Sequence, residues 1–600
     1  MDWKTRASQR KQAQLDAIPR EWLIEAPPAA QVNVINIPNE CGLLSAREIA
    51  ITNENDVDII LGKLAGREWS SEEVTRAYAK RAIVAHQLTN CLTEIFIEKA
   101  IQRAKELDAI LEKTGKVVGP LHGLPISLKD QFAIKGLETI MDSVDRKSSG
   151  YVAWIGKYAE SNCVLVDVLL ECGAVLFVRT NVPQTLMWGE THNNVFGRTV
   201  NPFDRRMTPG GSSGGEGALL ALRGSPLGVG TDIGGSVRIP SVFCNLYTLR
   251  PSYERLPYYG AVNSLEGQES ISSVLGPMAN SLTGVKTFTK AVIDSQPWNK
   301  DPSAIRKEWS EKEYQLTYHG GGKSMCFAIM WDNGEESDDF WNKASYSLEL
   351  GIVKPHPPLY RAMNMVKKAL EVAGHKVIDW ENHRQLDIYR NAELIYAADG
   401  GEDYRTECAR SGEPLLTNMT AHPDDPHYHP PLGDLRYQQH LAGEPYHRSA
   451  YELWQLQKEK RDLRKSHLDH WEATASRTGT GRPVDAIIGP ATPYSAVPHG
   501  LNVDSFYTTM CNAMDYATSA FPVTFVDANL DKDPHPPHEF YNFEDEAIYH
   551  MYDSEKFHGC PVGLQLIGRT LEEEGVIRMT EIVDEALRKW KADNSAVRSE

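Results

Sequence analysis

A lysine that closes an apolar run, and two serine–glycine clusters downstream of it, are the residues whose types and spacing could do chemistry in this chain. The clusters are GGSSGG, residues 210–215, and DIGGS, residues 232–236, with one short apolar segment between them. A serine hydroxyl becomes a nucleophile when a base stands beside it. Glycine lets backbone N–H groups approach a ligand with no Cβ in the way. The N–H groups of Ile233, Gly234, Gly235 and Ser236 could therefore line one turn as an oxyanion hole. Lys129 ends the run PISLK at 125–129. Burial there disfavours the charged form and lowers the pKa, which makes this lysine a candidate base. One Gly/Ser cluster alone reads as a flexible turn, and one strand-end lysine as a surface group. Two clusters flanking buried apolar sequence do not read as linkers.

Two serine mechanisms compete. Residues 210–214 and 211–215 both fit G-x-S-x-G, the nucleophile elbow, which would make Ser212 or Ser213 the nucleophile and require a downstream acid and histidine. The elbow expects a strand leading into the serine, whereas the lead-in here, NPFDRRMTPG, is polar and carries prolines.

The elements that must position these residues alternate. Ser70–Glu73 has the spacing of a capping box and opens a helix to about His86, and a second helix spans roughly Ile97–Thr114. A strand is expected around Pro125–Leu128, a helix over Ser161–Gly173, and a buried strand over Ala174–Arg179. Gly215–Arg223 reads as helix and Pro226–Val229 as a short apolar stretch ending at Thr231–Asp232. Lys323–Trp331, Pro358–Ala373 and Gly374–Trp380 suggest a βαβ unit, and Tyr451–Trp471 a charged amphipathic helix. Strand texture returns at Asp485–Pro493, Phe521–Val526 and Gly559–Gly568. Such alternation predicts an α/β fold with a large mixed central sheet covered by helices on both faces. Near the start, a helical arm (1–60) is expected, with Trp22, Leu23 and Ile24 anchoring it.

Several function classes are disfavoured. A net charge of −18 over 600 residues argues against a nucleic-acid partner. No apolar run reaches the length of a membrane span, and residues 1–23 lack the apolar core of a secretory signal. Nine scattered cysteines with no CxxC pair read as free thiols, so the cytoplasm is the expected compartment. GGGKS at 320–324 does not fit a phosphate loop, because Thr317 stands where the first glycine belongs and a strand follows. His422, His427 and His429 lie in AHPDDPHYHPP, whose prolines favour a polar loop over a metal site. No cofactor and no metal are expected.

PISLKD (125–130), GGSSGGEGALLA (210–221) and GSPLGVGTDIGGSVRIPS (224–241) together resemble the amidase signature family, in its order and spacing. Within it the sequence is similar to the fungal acetamidase-like branch and to fatty acid amide hydrolase. The resemblance extends to FGRTVNP (196–202) and PVGLQLIG (561–568), and is loose across 300–470. It implies one amidase-signature domain over 61–600, with a variable substrate-covering insertion at about 300–470. It also implies a Ser–Ser–Lys triad: Ser236 as nucleophile, Ser212 behind a cis Gly211–Ser212 peptide as proton relay, and Lys129 as neutral base. Asp232 and Arg238 would fix the nucleophile's loop, and Met187, Ser212, Thr231 and Asp232 would lie at the substrate. A core methionine remains an equal reading of Met187. The implied activity is hydrolysis of a small-molecule amide, with homodimerisation left open. Two rivals stand beside it: a glutaminase subunit of an amidotransferase, and a catalytically idle relative. Thr248 and Arg250 stand where relatives run into a Gly-x-Lys-Pro turn, a departure downstream of the triad. Substrate choice is expected to rest on aromatic residues of the cover: Tyr389, Tyr396, Tyr404, Tyr428, Tyr437, Tyr446 and Trp454.

Overall fold

The computed structural model describes residues 1–138, 150–334, 352–416, 419, 446–502, 504–532 and 540–597. His422, His427, His429, Tyr428 and Tyr437 lie outside them. In chain order the strands are β1 (Leu92–Ile95), β2 (Pro125–Lys129), β3 (Val175–Thr180), β4 (His192–Asn193), β5 (Gly197–Arg198), β6 (Leu227–Asp232) and β7 (Tyr247–Arg250). They continue with β8 (Val274–Ala279), β9 (Cys326–Ile329), β10 (Lys376–Asp379), β11 (Ala486–Gly489), β12 (Thr518–Phe525) and β13 (Pro561–Ile567). Eleven of these form one mixed sheet in the order β1-β3-β2-β6-β8-β7-β12-β13-β11-β9-β10, and β4 pairs with β5 alone.

Local sequence explains the helix boundaries. The helix Ser71–Thr89 starts where the Ser70 side chain accepts from the Glu73 N–H at 3.0 Å. It stops at Asn90, which adopts a left-handed conformation (φ 56°). The Glu73 carboxylate pairs with Arg47, 2.8 Å away, so only half of the expected capping box forms. Ile97–Thr114 is a helix as the sequence predicts, and Gly115 (φ 70°) closes it. The expected βαβ unit forms as well. The helix Pro357–Val372 links β9 to β10, which pair in parallel. Two strands of the 300–470 stretch thus extend the central sheet, while the helices Gln385–Tyr396 and Ala450–Ala473 pack beside Phe506–Met514.

The arm docks on an edge. β1 ends the sheet, and unpaired carbonyls there invite pairing with another chain. In the helix Trp3–Asp16, Gln14 donates its amide to the carbonyls of Leu92 (2.6 Å) and Thr93 (3.1 Å), and Arg10 pairs with Glu94. Trp22 and Ile24 pack against the core, but Leu23 is 57 % exposed and anchors nothing. It sits just after a short 3-10 turn and its side chain faces out.

β3, β2 and β6 are neighbours and run parallel, so their carboxyl ends lie side by side. Lys129, Thr180 and Asp232 are the last residues of these strands. That edge is where open α/β sheets bind ligands.

Candidate active site

Side chains alternate along a strand, so Ser127 and Lys129 of β2 share one face while Ile126 and Leu128 take the other. The shared face meets the helix Gly214–Ala221. There the Ser127 hydroxyl donates to Glu216 Oε2 at 2.7 Å, and the Thr180 hydroxyl donates to Oε1 at 3.0 Å. The neighbouring strand makes room with glycine: a Cβ on Gly228 would run into the Glu216 carboxylate. One residue further along this face, Lys129 Nζ lies 2.7 Å from Ser212 Oγ and 2.8 Å from Thr231 Oγ1. Gly211–Ser212 is a cis peptide.

The second cluster closes over the first. Ser213 donates its backbone N–H to the Ser236 carbonyl at 3.2 Å, which ties the two clusters together. Ser213 Oγ itself lies 3.4 Å from the Thr231 backbone, inside the protein. Exposure rises along the series Lys129 (0 %), Ser212 (2 %) and Ser236 (8 %), so Ser236 is the one closest to solvent.

The turn at 233–236 is held from behind. Asp232 accepts from the Gly235 N–H (2.8 Å), the Val237 N–H (3.3 Å) and the Asn512 amide (2.9 Å), and pairs with Arg238 at 3.0 Å. Arg238 also donates to Asn512 (2.7 Å) and Gln565 (3.1 Å). Both charges are fully buried. Two of the turn's carbonyls have side-chain partners: that of Ile233 accepts from Tyr396 OH at 2.7 Å, and that of Gly234 from Thr508 Oγ1 at 2.6 Å. Gly235 adopts φ +130°, and a Cβ there would strike Thr508. Only glycine fits.

The electrostatics follow from burial. Loss of solvent pushes the Lys129 ammonium well below the usual lysine range, with Asp232 and Glu216 opposing the shift. Burial likewise pushes the Glu216 carboxyl up to about 8, against the hydrogen bonds of Ser127 and Thr180. Asp232 goes the other way. Burial would raise it, but Arg238 and the amide donors win and hold it at about 2.

The structure therefore brings Lys129, Ser212, Ser236, Thr231 and the 233–236 turn to one place. Met187 is half-buried and packs against the cluster containing Trp188 and Ile239. The side chains of Thr231 and Asp232 are occupied inside the framework. Thr248 donates to the Pro277 carbonyl, and Arg250 pairs with Asp515 and donates to the Tyr516 carbonyl. Sequence reasoning missed Gln131, Thr508, Asn512 and Gln565. Asn512 and Gln565 were findable, each being a strongly polar residue inside an apolar run (FYTTMCNAM and PVGLQLI). Among the described residues no helix is long and apolar enough to cross a membrane, and no group of three or more metal-ligating side chains occurs.

The chain matches the family model described as Amidase over residues 73–577. An acetamidase of Aspergillus oryzae is 39 % identical over 591 residues, covering 98 % of this chain and 99 % of that protein. An acetamidase of Emericella nidulans is 39 % identical over 585 residues, covering 98 % of each. In three dimensions the chain is similar to a fatty acid amide hydrolase, with a TM-score of 0.82 and 30 % identity over 97 % of this chain and 95 % of that one. The fold, the full-length likeness and the family match agree, and the chain belongs to the amidase family, the amidase signature enzymes.

Proposed function

We propose that this protein hydrolyses a small carboxylic acid amide to the acid and ammonia or an amine through an acyl-enzyme on Ser236. The observation that carries the reading is the 2.7 Å contact between Lys129 Nζ and Ser212 Oγ, fully enclosed, beneath the more accessible Ser236. Neutral Lys129 takes the Ser212 proton, Ser212 takes that of Ser236, and Ser236 Oγ attacks the amide carbonyl. The Gly235 N–H is already engaged by Asp232, which leaves the amides of Ile233, Gly234 and Ser236 as the main donors to the oxyanion. The relayed proton goes to the departing nitrogen as the C–N bond breaks. Water then cleaves the ester by the same relay, returning Ser236 to its hydroxyl form.

The acetamidase relatives favour a short linear amide as substrate. Nine cysteines without a disulfide, eight of them buried, suit a reducing compartment such as the cytoplasm. A fluorophosphonate probe followed by peptide mass spectrometry tests the assignment. The label is expected on Ser236; a label on Ser212 or Ser213 would move the nucleophile to the first cluster.

A further inference from the structure

Lys129 donates to Thr231 Oγ1, and Thr231 in turn donates its hydroxyl proton to Gln131 Oε1. The direction of that second bond is fixed by what lies on the far side of Gln131. Its Nε2 faces the Val262 carbonyl at 2.6 Å and Asn263 Oδ1 at 2.9 Å. A carbonyl can only accept, so the amide nitrogen must point at Val262 and the amide oxygen at Thr231. The backbone locks the side chain in place, since the Val262 N–H donates to the Gln131 carbonyl at 3.2 Å. Gln131 and Thr231 are both buried, so water does not compete for these bonds.

The consequence reaches the base. A neutral lysine nitrogen carries two N–H bonds and one lone pair. Thr231, its own proton committed to Gln131, can only accept from Nζ. One N–H is thereby directed at Thr231, which leaves the lone pair free to accept from Ser212, 2.7 Å away. A Thr231 hydroxyl free to rotate could donate into that lone pair and compete with Ser212.

We propose that Gln131 is a positioning residue: it holds the Thr231 hydroxyl so that Lys129 presents its lone pair to Ser212. This rests on the reading of Lys129 as base. The titratable groups facing Lys129 are Glu216 from the helix Gly214–Ala221 and Asp232 from β6, the latter paired with Arg238. Asp130, the next residue along the chain, pairs with Arg179 and accepts from Thr93.

The test is a double-mutant cycle on amide turnover, with active sites counted by fluorophosphonate labelling. Gln131→Met, which keeps the length and removes the acceptor, is expected to lower the kcat plateau by about tenfold or more with KM little changed. In a Thr231→Val background the same substitution is expected to add almost nothing, because no hydroxyl remains to be held. Gln131→Glu keeps the acceptor for Thr231, its buried carboxyl holding the proton that the Val262 carbonyl needs, and is expected to retain most of the kcat that Gln131→Met loses. A Gln131→Met loss that persists undiminished in the Thr231→Val background overturns the proposal, as does a Gln131→Glu kcat that falls as far as that of Gln131→Met. Should Gln131→Met fail to fold, Gln131→Leu takes its place in the cycle. Failure of the underlying reading looks different: Lys129→Ala would then retain the acidic limb, whatever the Gln131 variants do.

Discussion

At the scale of single residues, the proposed mechanism depends on a lysine that must be uncharged to work. The folded pKa of Lys129 lies well below 10.5 because burial removes its solvent. A base must be neutral, so kcat/KM is expected to rise with pH through that folded value, and Lys129→Ala should abolish both this limb and most activity. The same shift has a stability side. Between the folded and unfolded pKa values the unfolded chain binds the extra proton, so Lys129 makes the protein more stable as pH rises across that window. Lys129→Met, lacking the charge, should show a Tm that climbs less steeply over the same range. For the serines, Ser236→Ala is expected to remove acyl-enzyme formation altogether, whereas Ser212→Ala leaves a nucleophile that reacts slowly because its relay is gone. Single-turnover acylation followed by mass spectrometry separates the two. The juxtaposition of Lys129 and Ser212 was the most legible part of the site, because the lysine and both serines stand in short motifs of glycine and small apolar residues, where a polar side chain is conspicuous. The neighbours they bond to were harder to see, because Gln131 and Thr508 are ordinary polar residues until the fold brings them beside Thr231 and Gly234.

At the scale of elements, two contacts decide whether the site keeps its shape. The helix Gly214–Ala221 is fastened to β2 and β3 through Glu216, whose carboxyl is held at about 8. A folded pKa above the ordinary 4.5 means the native state keeps a proton that the unfolded chain releases. That contribution is fully present below about 4.5 and is lost as pH rises through 8. Glu216→Gln, which cannot ionise, should flatten the decline, and Tm measured from pH 5 to pH 9 for both proteins checks it. The second contact is the buried pair Asp232–Arg238. Arg238→Ala leaves an uncompensated carboxylate, and a loss of about 3–5 kcal/mol in urea unfolding is expected, with the 233–236 turn released. Most elements were legible from periodicity, including the helix at 97–114 and the βαβ unit of β9 and β10. What could not be read was which elements pair. The sheet order joins strands far apart in sequence, and no local pattern encodes that.

At the scale of the whole molecule, the 300–470 stretch meets the rest of the chain at the 233–236 turn. Tyr396 reaches from that stretch to the Ile233 carbonyl, and Tyr389 packs edge-on against Phe506. Tyr446 and Trp454 are exposed instead, at 55 % and 61 %. Tyr396→Phe is therefore expected to reduce kcat/KM by roughly twofold to tenfold, the worth of one hydrogen bond. Tyr446→Ala and Trp454→Ala should leave relative kcat/KM between small aliphatic and aryl amides unchanged, which a substrate panel would measure. The sequence offered all these aromatics as equals, since exposure is a property of the assembled fold. The same assembly has a consequence for how the protein is made. Lys129, Ser212 and Ser236 have all been translated by the time the chain is 40 % of its 600 residues long. Yet Arg238, which holds the 233–236 turn through Asp232, waits for Asn512 and Gln565, 274 and 327 residues later. β12 and β13 must also enter the middle of the sheet, between β7 and β11. A nascent chain on the ribosome is thus expected to carry all three residues before the framework around them is complete, and to gain activity only once the last strand has been released and folded in. A messenger truncated after codon 500 should yield a product with all three residues and no fluorophosphonate labelling.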